Sequence, residues 1–241
     1  MQKNYLERNI HFWQRKFNSP NVESFIFRLK PKILDLYISQ NKKIKILDFG
    51  CGEGANLNYF IKKFGYDGYG VDISKESIIA ARKRIGKQNK IKLISGDVKN
   101  TDDFFNIKFD LIMSIQVLYY FSNNDLRKRL ISFNNMLKPN GHVFFTMMSN
   151  QNKYYTRFSN KKKNKDGLTF VNLSKDQKYF KFYKQRHKQE TYKRYINFTK
   201  DVNDLKKKFK IFKPLNIGYY EGSLESLKDG GLHYTFFGKK K

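Results

Sequence analysis

Between residues 5 and 40 the apolar positions fall three and four apart: Phe12, Trp13 and Phe17, then, after a break at Ser19-Pro20, Val22, Phe25, Ile26, Leu29, Ile33, Leu34 and Leu36. That spacing predicts helices, with Pro31 starting or kinking one of them. From residue 44 the period changes. Short apolar runs at 44–49, 68–72, 91–95, 109–115 and 142–147 read as buried strands, and helix-patterned segments at 55–64, 75–85 and 123–137 lie between them. A short segment around 101–105 precedes the fourth strand, and Lys138-Pro139-Asn140-Gly141 reads as a turn before the fifth. Strands separated by helices predict a parallel sheet covered on both faces.

After Ser149 the texture becomes polar, basic and aromatic through residue 195. Lys161-Lys162-Lys163 is expected in a loop. The alternation in Tyr179-Phe180-Lys181-Phe182-Tyr183-Lys184 predicts a strand, with a partner around 191–198. Thr199 is placed to cap a helix running to Phe209, and 211–218 and 232–238 read as two closing strands. No internal repeat is present. A chain of 241 residues buries one sizeable core with little left for a second. The expectation is therefore one domain over 1–241, with a helical cap at 1–40 and an insertion or lid at 150–195.

Charge changes the picture only in part. The formal net charge is +28, from 49 Lys plus Arg against 21 Asp plus Glu, which points to phosphate-bearing partners or an anionic surface. The chain is also rich in Asn, Ile, Phe and Tyr, a joint bias that A/T-rich codons produce, so part of the charge reports codon usage and solubility. Cys51 is the only cysteine. That excludes an internal disulfide and a cysteine metal cluster, and fits a reducing interior. With no apolar run of signal-peptide or membrane-spanning length, the reading is a soluble, cytoplasmic protein without membrane insertion.

The densest local signal is Ile46-Leu47-Asp48-Phe49-Gly50-Cys51-Gly52-Glu53-Gly54, an apolar strand running into an acid and three glycines two apart, with helix-forming sequence next. Glycines there let the backbone turn sharply and approach a ligand without a Cβ in the way. Gly50, Gly52 and Ala55 alone would also satisfy a dinucleotide fingerprint. Asp48 and Gly54 extend the pattern to D-x-G-x-G-x-G. Further pieces follow in order: Val71-Asp72-Ile73-Ser74, Ser95-Gly96-Asp97-Val98, Phe109-Asp110-Leu111-Ile112-Met113-Ser114 and Met136-Leu137-Lys138-Pro139-Asn140-Gly141-His142. Over roughly residues 44–148 this combination resembles the class I S-adenosylmethionine-dependent methyltransferases.

That resemblance implies an α/β, Rossmann-like fold: a seven-stranded, mostly parallel sheet with helices on both faces and the last strand antiparallel. It implies S-adenosyl-L-methionine as cofactor. Gly50, Gly52 and Gly54 would close over its methionine part, where Asp48 accepts hydrogen bonds or opposes the sulfonium. Asp72 would accept the ribose hydroxyls, Asp97 the adenine amine with the Val98 backbone on a ring nitrogen, and Ile73 would pack on the adenine face. Gln116, just past the fourth strand, joins the cofactor set. Taken singly, Asp72 or Asp97 is as well read as a turn or cap acid; two at the expected strand ends favour the ligand. Cys51 reads as a small filler in a tight loop. The stretch Ile115-Gln116-Val117-Leu118-Tyr119-Tyr120-Phe121 departs from the family, having neither its common histidine nor the Asn/Asp-Pro-Pro-Tyr signature of base-amino methylation.

Methyl transfer from a sulfonium is an in-line displacement that needs alignment, a dry site and, for a hydroxyl acceptor, a base. Ligands bind at the carboxyl ends of parallel strands, and an antiparallel last strand begins at that edge. The catalytic candidates are thus His233, Tyr119 and Tyr220, with Tyr234, Tyr120, Tyr219 and Glu221 beside them and His142 on the far side. His11 and His187 belong to the expected cap and lid. Any single histidine is more often a structural residue. No metal-ligand spacing is present. The expected acceptor is a small, polar, anionic molecule, such as a phosphorylated metabolite or a surface-glycan or nucleotide-sugar precursor. The alternatives are an RNA or ribosome-directed enzyme, suggested by Tyr192-Lys193-Arg194-Tyr195, and a non-catalytic cofactor-binding protein.

Overall fold

The computed structural model describes residues 44–86, 92–95, 105–176, 193–222 and 231–241. The helical pattern at 5–40 with His11, the pair Asp97 and Val98, the strand expected at 179–184 and His187 lie outside the described residues.

Local sequence sets most of the element ends. β1 (Lys45–Phe49) is an apolar run that stops at Gly50. α1 (Ala55–Phe64) is bounded by Gly54 and Gly65, both left-handed, and the Gly65 amide donates to the Ile61 carbonyl. After β2 (Asp67–Asp72), Ser74 caps α2 (Lys75–Ile85) by accepting from the Ser77 amide at 3.1 Å. Glu76 in its first turn and Arg82, Lys83 and Arg84 in its last complement the helix dipole. β3 (Lys92–Ser95) and β4 (Phe109–Ser114) follow, and then α3 (Asn123–Met136), capped by Ser122, whose hydroxyl accepts from the Asp125 amide at 3.1 Å.

β5 (Leu137–Met148) includes the four residues expected to form a turn. Phe109 pairs with Leu137 and Leu111 with His142, so Lys138-Pro139-Asn140-Gly141 is a bulge within the strand, opposite the single residue Asp110. Asn140 takes φ +62° there, and the Lys138 ammonium lies 2.8 Å from the Asp110 carboxylate.

The chain then leaves the main sheet through a single turn, α4 (Lys153–Thr156), and builds a small antiparallel sheet from β6 (Ser159–Lys163), β7 (Thr169–Asn172) and β8 (Lys193–Ile196). One expectation is corrected here. Lys161, Lys162 and Lys163 belong to β6, an edge strand whose exposed side chains carry no apolar signal. β8 lies within the strand expected around 191–198; among the described residues it pairs with β7, Thr169 facing Ile196 and Val171 facing Arg194, while its expected partner at 179–184 lies outside the described residues.

α5 (Val202–Lys208) starts at an Asp201 cap, the carboxylate accepting from the Asp204 amide at 2.8 Å. The expected cap, Thr199, is committed elsewhere: its amide donates to the Met148 carbonyl at 2.8 Å and its carbonyl accepts from Asn150 at 3.0 Å, which keeps it extended. β9 (Phe212–Gly222) and β10 (Gly231–Lys240) close the chain.

The seven strands run in the order β3-β2-β1-β4-β5-β10-β9, with β10 antiparallel to both neighbours and the rest parallel. One apolar cluster fills the space between the sheet, α3 and α5, built on Phe49, Phe133, Phe145, Phe209 and Phe236. Another lies under α1, with Ile46, Phe60, Leu111, Met113, Phe144 and Phe237. The order of strands reverses between β1 and β4, so the carboxyl ends of these two strands flank the crevice of an open α/β sheet.

Candidate functional site

The crevice is built first from the loop after β1. The amides of Gly50 and Cys51 both donate to the Val71 carbonyl, at 2.7 and 3.0 Å, folding the loop over the end of β2. Gly50 has φ +78°, and a Cβ there would overlap the Val117 side chain on the loop after β4. Gly52 has φ +52° and nothing within 4 Å of where a Cβ would sit, so its backbone faces open space. A Cβ on Gly54 would meet Ile85 Cδ1 at 2.6 Å, so that glycine permits the approach of α2. Glu53 is held by Arg84 at 2.9 Å.

Two carboxylates stand behind this loop. Asp72, at the end of β2, accepts from the Gly52 amide at 2.9 Å and from the Ser74 amide at 2.8 Å, one on each oxygen. Burial pushes its carboxyl up, and those amides pull it back. Asp48 is 1 % exposed, and neither oxygen meets a donor in hydrogen-bonding geometry. Burial pushes its carboxyl up to about 7; the nearby Asn56 side chain favours the ionised form, and the charge of Asp72 opposes it. Burial also drives the Cys51 thiol well above its ordinary range, with both carboxylates adding to the effect. It is a small buried filler, as the sequence suggests, and no thiolate forms there near neutral pH. Ile73 is half-buried at the same edge.

β4 ends beside this pair. The Ser114 hydroxyl donates to the Phe49 carbonyl at 3.0 Å, tying β4 to β1. Gln116 adopts φ +60°, a conformation uncommon outside glycine, while its amide donates to Thr146 Oγ1 at 2.7 Å. Strain of this kind collects at binding and catalytic sites. A short 3-10 turn, Leu118–Tyr120, then buries Tyr119 and Tyr120, ring centroids 4.6 Å apart.

His233 starts β10 opposite Met148, the last residue of β5, and its ring lies 5.8 Å from that of Tyr119. It is 5 % exposed. Register through Met113, Phe144 and Phe237 puts Asp48 and His233 on the same face of the sheet, the one that carries α1. Tyr220 lies opposite His233 in β9 by backbone register. The structure therefore brings Asp48, Asp72, the three glycines, Ile73, Gln116, Tyr119 and His233 to one edge. His142 sits at the other edge, stacked on Phe237 at 5.2 Å, with its imidazole pushed down by burial and by Lys239.

The insertion adds residues that the sequence reading passed over. Asn197 is fully buried; its amide donates to the Tyr119 carbonyl at 2.7 Å and its side chain to the Phe121 carbonyl at 3.2 Å and Asn123 Oδ1 at 3.0 Å. Arg194, 4 % exposed, faces Val171 across the small sheet and donates to the Lys193 carbonyl at 3.0 Å. The available signal was alternation: Arg194, Ile196 and Phe198 share one side of an extended segment, so a guanidinium falls on an otherwise apolar face.

A family profile described as a methyltransferase domain matches residues 46–141. The chain is 28% identical over 143 residues to the phosphoethanolamine N-methyltransferase of Plasmodium falciparum, covering 59% of this chain and 53% of that protein. Two solved structures share the fold. A S-adenosylmethionine-dependent methyltransferase from Clostridium acetobutylicum has a TM-score of 0.61 at 19% identity, over 98% of this chain and 99% of that one. The N-methyltransferase NodS from Bradyrhizobium japonicum, solved with S-adenosyl-L-homocysteine, has a TM-score of 0.61 at 13% identity, over 98% and 99%. Residues 46–141 thus match a methyltransferase domain, and the chain shares its fold with S-adenosylmethionine-dependent methyltransferases. It spans about half the length of the curated relatives it matches. The family match ends at Gly141, so the insertion, β9 and β10 fall outside it. Among the described residues no three His, Cys, Asp or Glu gather to hold a metal ion, and no helix is long and apolar enough to cross a membrane.

Proposed function

We propose that this methyltransferase moves the methyl group of S-adenosylmethionine to a nitrogen or oxygen of a small, polar, anionic acceptor of the phosphorylated-amine or nucleotide-sugar class. The observation that carries the acceptor reading is Arg194, a guanidinium buried in the insertion sheet, which donates to the Lys193 carbonyl at 3.0 Å from a strand that packs beside the Tyr119 turn. Guanidinium groups grip phosphate and carboxylate through paired, charge-assisted hydrogen bonds. The phosphoethanolamine specificity in the name of one relative is of the same chemical class.

The pocket fits the cofactor. Asp48 offers a buried carboxylate to a cation, the open side of Gly52 leaves backbone within reach of a ligand, and Asp72 keeps a lone pair on each oxygen for ribose hydroxyls while it pins the loop. Ile73 and Gln116 complete the described part of this set, and Asp97 with Val98 is assigned to the adenine by resemblance. Bound there, the cofactor supplies an electrophilic methyl group. Tyr119 and His233 then line the acceptor side, where the imidazole takes the proton that the acceptor sheds. The insertion sheet, tied down through Asn197, excludes water and fixes the acceptor for in-line attack.

The test is transfer of labelled methyl to a panel of phosphorylated amines, nucleotide amino sugars, the corresponding uncharged amines and total RNA. The expected result is methylation of an anionic small molecule. Arg194→Met should raise its KM about tenfold to a hundredfold, the worth of a charge-assisted pair, and leave S-adenosyl-L-homocysteine affinity unchanged. Methylation of RNA alone, or an unchanged KM in the variant, would overturn the reading.

A further inference from the structure

Asp48 is a buried carboxylate whose pairing the fold leaves incomplete. It is 1 % exposed, the Asn56 side chain beside it falls short of hydrogen-bonding geometry on either oxygen, and its nearest strand neighbours in register are Gly70 on β2 and Met113 on β4, neither of which ionises. The groups that face it are Asp72 from β2, the Cys51 thiol from the loop and the Asn56 amide from α1. Asp110 on β4 lies at the other end of that strand with Lys138, and Glu53 is engaged by Arg84. Among the described residues, then, no cation acts on the Asp48–Asp72 pair, and both members face the loop whose Gly52 borders open space. Two carboxylates in so dry a setting do not both hold full charge, and a proton on one relieves them until a cation arrives.

We propose that Asp48 is a proton-exchange site, protonated in the empty pocket and deprotonated as the ammonium group of the cofactor's amino-acid end binds, so that cofactor capture releases a proton. The inference rests on the cofactor assignment proposed above. Burial and the charge of Asp72, which push the Asp48 carboxyl up to about 7, set the window. Because the ligand selects the ionised carboxylate, affinity falls as pH drops below 7 and levels off above it. Asp72 is the less suitable proton carrier, since two backbone amides hold its charged form.

Calorimetric titration with S-adenosyl-L-homocysteine, at pH 7 in buffers of low and high ionisation enthalpy, reads the exchange directly. About half a proton should be released per ligand at pH 7, and Kd should weaken towards tenfold per pH unit between pH 6.5 and 5.5. Adenosine, which lacks the ammonium group, should bind without proton release. Asp48→Asn should bind S-adenosyl-L-homocysteine more weakly, with neither proton release nor pH dependence in this range. Release that persists in Asp48→Asn, or wild-type binding that is flat with pH and releases nothing, overturns the inference while leaving the cofactor reading intact. No binding at any pH overturns both. Should Asp48→Asn fail to fold, the wild-type titrations in the two buffers decide the matter alone.

Discussion

A single added methyl group should separate the architectural glycines of the crevice from the one that serves a ligand. At Gly50 the left-handed backbone costs a side chain about 1–2 kcal/mol, and the new Cβ overlaps Val117 besides. Gly50→Ala should lose about 2–4 kcal/mol of stability in urea denaturation. At Gly52 the conformational cost remains but nothing stands in the way, so Gly52→Ala should lose only about 1–2 kcal/mol. Its S-adenosyl-L-homocysteine affinity should nonetheless fall at least about tenfold, because the methyl group fills the space in front of the loop backbone. Equal losses of stability in the two variants, with binding retained in Gly52→Ala, would show that Gly52 does not face the ligand.

At the scale of elements, the insertion sheet is fastened to the crevice by one buried carboxamide. Asn197 reaches Phe121 and Asn123, Asn123 in turn donates from its amide to the Asp166 carbonyl, and Gly167 has no room for a side chain against Asn123. Asn197→Ala should cost about 2 kcal/mol, and amide hydrogen exchange should quicken in β6, β7 and the Tyr119 turn while α1 and α2 keep their protection. Uniform loss of protection would mean that the sheet does not move as a unit.

The contrast between these elements also marks what the sequence could reveal. α1 and α2 are read with their true ends because glycines at 54, 65 and 86 and the Ser74 cap act locally. The Asp48 to Gly54 motif made the glycine loop at the crevice legible for the same reason. β6 was misread because its lysines face solvent at an edge, and its pairing with β7 is fixed by residues that only the folded chain brings together. Thr199 was a sound cap locally, displaced by its bridge to Ser149. Asn197 and Arg194 matter through contacts that only the folded chain brings together.

For the whole molecule, topology and charge act together. The antiparallel β10 returns to the crevice edge, and so delivers His233 beside Tyr119 although more than a hundred residues of chain separate them. The net charge of +28 surrounds a crevice floored by Asp48 and Asp72, so a field that favours anions outside meets carboxylates within. Raising ionic strength from 50 to 300 mM should therefore raise the KM of an anionic acceptor several-fold, because screening shortens the reach of surface charge to less than about 10 Å. The affinity of zwitterionic S-adenosyl-L-homocysteine should change much less over the same range. A KM insensitive to salt would assign the excess lysines to solubility alone.

Val117 closes against Gly50 from the loop that leads into the Tyr119 turn, so a single side chain joins the glycine loop to that turn. Neither can be reshaped without pressing on the other. A ligand that shifts one should therefore alter how the other holds a second ligand, and thermodynamic reciprocity requires the two effects to be equal in size.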